Sequence, residues 1–117
     1  MSRHLQDLVA DLKSRVARMS ASVQQSVEQV VEAIFNADAA MAQRVIDLDR
    51  KIDDEEVKVE KTAIDLLALH QPAARDLRLV TSIIKVNSDL ERVADCAVNA
   101  AQRVIPLARQ EGYQPPA

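Results

Sequence analysis

The amino-acid sequence predicts an all-α protein, an up-down-up antiparallel bundle of three long helices. Only one of the 117 residues is glycine, only 2% are aromatic, and apolar residues recur at helical spacing in three long segments. β-Sheet folds need glycine at many tight turns, whereas glycine-poor, aliphatic-rich composition favours helices packed on helices. The length fits one domain. We place this three-helix domain at residues 1–110 and expect a disordered tail at residues 111–117.

The first predicted helix extends from near the start of the chain to the vicinity of Phe35. Its apolar residues recur every three or four positions, the spacing that gives a helix one apolar face. Asp38 is predicted to cap the helix that follows. The apolar positions are Leu5, Leu8, Leu12, Val16, Met19, Val23, Val27, Val30 and Ile34.

The second predicted helix starts after Asp38 and ends just before Pro72. Its apolar pattern has a gap from Ile52 to Val59, where Glu55 and Glu56 stand in place of an expected apolar residue. Such a departure from core patterning is where function is expected. Proline disfavours helix at the residue before it and suits the first turn of a new helix, so Pro72 is predicted to begin the third helix.

The third predicted helix extends from about Ala73 to about Arg103, or as far as Gln110 if Pro106 only kinks it. Helices of ~30 residues are ~45 Å long, and the short breaks between segments make neighbouring helices antiparallel. The predicted apolar stripe of this helix is Leu79, Ile83, Val86, Leu90, Val93, Ala97 and Val104.

Charge and cysteine content exclude several classes of function. Fifteen basic against eighteen acidic residues give a net charge of -3, which is not the basic footprint of a nucleic-acid-binding protein. A single glycine excludes a glycine-rich phosphate loop. The one cysteine, Cys96, cannot form an internal disulfide, so we expect a cytoplasmic protein in which Cys96 is a small buried residue. We find no signal peptide or membrane-length apolar run.

Acidic residues form rows at helical spacing on the second and third predicted helices. Residues three or four apart stack on one helix face, and like charges there repel by about a few tenths of a kcal/mol per pair. A row is therefore unfavourable unless a cation compensates. If these helices are neighbours, the rows share one groove and could bind hard cations such as iron, manganese or magnesium. The acids are Asp49, Asp53, Glu56, Glu60, Glu91 and Asp95.

Two other interpretations of these acids remain open on spacing alone. Charged helix faces are usually only solvated, and Lys51, Lys58 and Arg92 are near enough in sequence to pair with the acids. A metalloenzyme of the di-iron bundle type needs Glu-x-x-His pairs, but His4 and His70 lie near segment ends. The sequence also shows no Ser/His/Asp or Cys/His arrangement of the kind used in nucleophilic catalysis. We therefore predict that the protein is not an enzyme.

Three stretches of the sequence carry specific motifs. They are Arg44–Asp53 in the second helix, Gln71–Leu79 at the junction of the second and third helices, and Lys85–Asp95, which ends in an acid-x-x-x-Asp motif. All three stretches resemble the PhoU family of phosphate-uptake regulators. The resemblance implies a bacterial cytoplasmic regulator that works with a phosphate ABC transporter and a sensor histidine kinase to repress phosphate-starvation signalling. Such a protein reaches the membrane only through its partners.

The resemblance also implies a metal site and self-association. Some family members bind iron or zinc. We therefore expect metal ions of the iron, zinc or manganese class here, in a single or multinuclear site. Usual members have two three-helix repeats, whereas one is found here, so we expect a homodimer that rebuilds the two-repeat body. The alternative is a structural dimerisation module without a metal role. The candidate ligands are Asp49, Asp53, Glu91 and Asp95, with Glu56 a weaker candidate.

Overall fold

Three long helices make up the described part of the chain, as expected from the sequence. The computed structural model describes residues 3–110, so the tail predicted at residues 111–117 lies outside the described residues. Helix α1 is Arg3–Asn36, α2 is Ala39–His70 and α3 is Ala74–Arg109. Each helix packs against the other two, and no strand occurs within residues 3–110. The all-α prediction is confirmed.

The connection between α1 and α2 is a tight turn closed by backbone hydrogen bonds. The Asp38 N–H donates to the Ala33 carbonyl at 3.0 Å, the longer bond of a Schellman motif. Ala37 takes a left-handed conformation with φ of 51°. The Asp38 carboxylate accepts a hydrogen bond from the Met41 N–H at 3.0 Å, so the predicted N-cap is present.

Replacing Ala37 by glycine is expected to stabilise the protein by about 0.5–1 kcal/mol. A left-handed alanine costs about 1–2 kcal/mol, and the larger entropy of glycine in the unfolded chain offsets part of that gain. Urea unfolding measures the change. Ala68→Gly is the matched control, because this exposed alanine lies inside α2 and its replacement should cost about 1 kcal/mol. Equal destabilisation by both variants would contradict the expectation.

The connection between α2 and α3 differs from the sequence prediction in one respect. Gln71 is left-handed with φ of 40°, because the following proline disfavours the right-handed helical conformation at this residue. Helix α3 begins at Ala74, so Pro72 lies in the connection and not in the first helical turn. At the other end, α3 continues through Pro106 to Arg109, as expected for a proline that only kinks the helix.

Within residues 3–110, the hydrophobic core follows the long axis of the bundle as three clusters of buried side chains. Leu5, Leu12 and Leu66 belong to the cluster at the end that holds the α2–α3 connection. Val30 and Val45 belong to the cluster at the opposite end. The middle cluster is Met19, Val23, Ile52 and Ala94. It is the smallest of the three, and it lies at the level of the candidate site.

The buried face of α3 is centred differently from the stripe that the sequence predicts. Val86 and Val93, both assigned to that stripe, are each 44% exposed. The positions buried in their place are Val80, Asn87, Ala94 and Ala101. The buried face of α3 is rotated relative to the predicted stripe because α3 packs against both α1 and α2. The side chains that point between these two helices are therefore the buried ones. Within residues 3–110, no helix combines the length and apolar character that a bilayer span requires.

Candidate metal centre

Three of the predicted ligands meet in the groove between α2 and α3. Asp49 and Asp53 lie one turn apart on α2, and Asp95 faces them from α3. Each contributes one carboxylate oxygen to a group in which all three oxygens lie within 4.8 Å of one another. The sequence placed these acids on two helices, and the packing of α2 on α3 brings them together.

Asp49 is the most enclosed member of the group. Its Oδ1 atom is buried and has no hydrogen-bond partner among the described residues. Burial raises the pKa of Asp49, and repulsion from Asp53 and Asp95 raises it further. A buried carboxylate oxygen without a partner is costly, so this atom favours either a proton or a cation.

The two glutamates predicted as ligands are electrostatically coupled to the same group. The pKa of Glu91 is raised to about 7, first by a side-chain hydrogen bond with Asp95, then by burial and by repulsion from Asp95, Glu56 and Asp53. Burial raises the pKa of Glu56, and repulsion from Glu60, Asp53 and Asp95 adds to the effect. We call Asp49, Asp53, Glu56, Glu91 and Asp95 the acidic cluster.

Basic side chains do not neutralise the acidic cluster. Among the described residues, the ion pairs within 4.0 Å are Arg15 with Asp11 and Glu55, Lys61 with Asp65, and Arg92 with Asp89. None includes a member of the acidic cluster. The groups in the groove are oxygen donors, which suit hard cations. The donor chemistry and the orphaned Asp49 oxygen therefore fit a metal ion.

The packing beneath the acidic cluster explains the two glutamates that interrupt the apolar pattern of α2. Glu55 faces α1 and pairs with Arg15 at 3.4 Å. Glu56 faces the groove, and its backbone carbonyl accepts a hydrogen bond from the Asn87 side chain at 3.0 Å. Asn87 is only 2% exposed and so ties α3 to α2 below the acids. Its position, four residues before Glu91, was the only sequence signal for this role.

The metal-free protein is expected to lose stability as pH rises from about 5 to about 7.5, because of Glu91. Below pH 4.5, the ordinary pKa of glutamate, the Glu91 carboxyl is protonated in both the folded and the unfolded chain. Between pH 4.5 and about pH 7, only the folded chain keeps this proton. The folded state therefore binds more protons in this window, and stability falls as pH rises through it. Asp49 and Glu56 shift in the same direction.

Urea unfolding with a chelator, at both ends of this pH window, measures the slope. Glu91→Gln should flatten it, since the amide cannot titrate. Glu32→Gln is the matched control, because Glu32 is exposed on α1 and its replacement should leave the slope unchanged. A Glu91→Gln variant with the wild-type slope would contradict the assignment.

A model of one protein family matches most of the chain. The family is described as the PhoU domain, and the match covers residues 16–104. This range contains all five members of the acidic cluster and the connection between α2 and α3.

Individual relatives show the same similarity. A phosphate-specific transport system accessory protein PhoU homolog from Aquifex aeolicus is 39% identical over 105 residues, which is 90% of this chain and 48% of that protein. The homolog from Pseudomonas aeruginosa is also 39% identical, over 43% of its own length. The crystal structure of PhoU from Pseudomonas aeruginosa matches with a TM-score of 0.87 and 36% identity, over 91% of this chain and 51% of that one. The chain thus spans about half the length of the curated relatives it matches.

Proposed function

Because the chain belongs to the PhoU domain family, we propose that it is a non-catalytic accessory protein of phosphate uptake. It acts in the cytoplasm as an adaptor between a phosphate ABC transporter and a sensor histidine kinase, and it represses phosphate-starvation signalling. The relatives' names support the link to phosphate transport. The adaptor role rests on the family resemblance of the sequence.

The acidic cluster makes this adaptor capable of binding metal. Asp49, Asp53 and Asp95 hold the ion, and Glu56 and Glu91 complete the site or bind a second ion beside the first. The observation that supports this most strongly is the convergence of three carboxylate oxygens within 4.8 Å. Iron, manganese or zinc would remove the repulsion between these acids and satisfy the orphaned oxygen of Asp49.

A phosphate-starvation reporter in the source bacterium tests the regulatory role. Deletion of the gene is expected to raise reporter activity in phosphate-rich medium, and the wild-type gene should restore repression. An Asp49→Asn/Asp95→Asn gene that restores repression fully would show that regulation does not need the metal. A reporter unaffected by the deletion would overturn the proposed function.

The alternative function, a structural dimerisation module without a metal role, is favoured by one feature of α3. A row of apolar residues spaced seven apart lies beside the buried face, and three of its members are 44–45% exposed. Seven-residue spacing is the pattern of helices that pack along a seam. We call this row the outer stripe. Its members are Leu79, Val86, Val93, Ala100 and Leu107.

A second copy of the chain is the proposed occupant of the outer stripe, and its α3 lies antiparallel to the first. Asp89, Cys96 and Arg103 are exposed on the same side of α3, again seven residues apart. With a two-fold axis near Cys96, Asp89 lies opposite Arg103 of the partner subunit, and the pair occurs twice. A parallel arrangement would place like charges opposite each other. Dimerisation is compatible with the adaptor role.

Reversing charges tests both the dimer and its direction. Asp89→Arg and Arg103→Asp are each expected to weaken the dimer by about tenfold, as two exposed attractive pairs become repulsive. The double variant should recover wild-type affinity only in the antiparallel arrangement. Sedimentation equilibrium measures the dissociation constant. Mild oxidation should also link the two copies through Cys96, which is exposed and not buried as predicted.

These measurements separate the possible failures. A chain that sediments as a monomer at all concentrations would overturn the homodimer. A dimer that neither forms the Cys96 cross-link nor responds to the charge reversals would overturn the outer stripe as the interface.

A further inference from the structure

The chain has two histidines, and the fold brings them together. His4 lies at the start of α1, and His70 is the last residue of α2. Their rings are in edge contact, with centroids 5.3 Å apart and planes inclined by 62°. Neither ring takes part in the acidic cluster. Asp49 lies 21 residues before His70 on the same helix, which corresponds to about 31 Å along the helix axis.

The separation of the rings is that of two imidazoles bound to one metal ion. A zinc–nitrogen bond of about 2.0–2.1 Å places each ring centre roughly 3.2 Å from the ion, so two rings at a tetrahedral angle have centres roughly 5 Å apart. The observed 5.3 Å therefore requires little movement of either helix. Small rotations of the two side chains would aim a nitrogen of each ring at a common point.

The packing beside the rings fixes the backbone at both histidines before any ion binds. Leu5, next to His4, and Leu66, one turn before His70, belong to the same buried cluster. His4 and His70 line a surface groove of about 260 Å³ together with Asp65. Asp65 pairs with Lys61 at 3.4 Å, and among the described residues no acid joins the two histidines in a group of three converging ligands.

We propose that His4 and His70 form a second metal site, which binds a divalent ion of the zinc, nickel or copper class. Imidazole favours these ions, whereas the oxygen-only acidic cluster favours harder ones. An ion held here links the start of α1 to the end of α2, beside the connection to α3. Water completes the coordination.

The alternative explanation for the contact between His4 and His70 is that the two rings only pack against each other. Phenylalanine variants distinguish a metal site from ring packing. His4→Phe and His70→Phe keep an aromatic ring at the contact but remove the ligand nitrogens. Both are made in the Asp49→Asn/Asp95→Asn background, so that the acidic cluster does not contribute to zinc binding. Circular dichroism checks that each variant stays helical.

Zinc titration followed by calorimetry and by ¹⁵N NMR of the imidazoles tests the site on an untagged chain. One equivalent of zinc is expected to shift the nitrogens of both histidines together and to raise the unfolding temperature. Removing a residue that only hydrogen-bonds to a metal ligand typically lowers metal affinity by roughly 10- to 100-fold. Each phenylalanine variant removes a ligand itself, so its zinc affinity should fall by at least as much. A single shifted histidine, or a phenylalanine variant with undiminished affinity, would overturn the proposal and leave ring packing as the explanation.

Discussion

Replacing Asp49 and Asp95 together by asparagine is expected to abolish the stabilisation of the protein by manganese or ferrous iron. One carboxylate oxygen from each of Asp49, Asp53 and Asp95 lies within 4.8 Å of the other two, so the variant keeps one of these three charges. An ion at 100 times its dissociation constant stabilises the folded state by about 2.7 kcal/mol. That contribution should disappear in the variant, while the shapes of the side chains hardly change.

The same variant is expected to be more stable than the wild type when metal is absent. Repulsion from Asp53 and Asp95 disfavours the charged form of Asp49, and asparagine removes both this repulsion and the cost of burying the charge. The substitution is thus expected to remove the gain in stability that metal brings and to raise the stability of the metal-free protein. A site that is only solvated would produce the second effect without the first.

Thermal unfolding with a chelator and with added metal measures both effects. Asp47→Asn/Asp54→Asn is the matched control, because both residues are exposed on α2 and the charge change is the same. This control should keep the wild-type response to metal. If the Asp49→Asn/Asp95→Asn variant gained as much from metal as the wild type, the acidic cluster would not be the binding site.

Shortening Ile52 to alanine is expected to destabilise the protein by about 2–5 kcal/mol, the range for large aliphatic side chains in a packed core. Ile52 is 2% exposed and packs with Met19, Val23 and Ala94 in the middle cluster. Alanine at position 52 leaves a cavity there. The loss is large relative to the about 5–15 kcal/mol by which a domain of this kind is stable.

Urea unfolding measures the loss, and Ile64→Ala is the matched control on the same helix. Ile64 is 51% exposed, so the same substitution there should cost less than about 1 kcal/mol. Weaker metal binding by the Ile52→Ala variant is a further expectation, because the middle cluster supports the backbone between Asp49 and Asp53. Equal losses for the two isoleucines would contradict the assignment of the core.

The sequence predicted the members of the acidic cluster better than it predicted the surfaces around them. Spacing of four residues placed Asp49 with Asp53, and Glu91 with Asp95, on one face of a helix each. That the two faces meet follows from the adjacency of α2 and α3. The buried position of Asn87 was not foreseen, because an asparagine four residues before an acid does not reveal whether it faces a carbonyl or water.

The existence and order of the three helices and the N-cap of α2 were determined by the sequence alone, because a helix is stabilised by hydrogen bonds between residues four apart and by local capping at its ends. The orientation of each helix about its own axis was decided only by the tertiary structure. α3 packs against two partners at once, and this exposes Val86 and Val93, which the predicted apolar stripe placed in the core. It also exposes Cys96, which was expected to be buried as a small residue. The meeting of His4 with His70 has the same origin, since contacts between residues 66 positions apart depend on how the helices pack and not on local spacing.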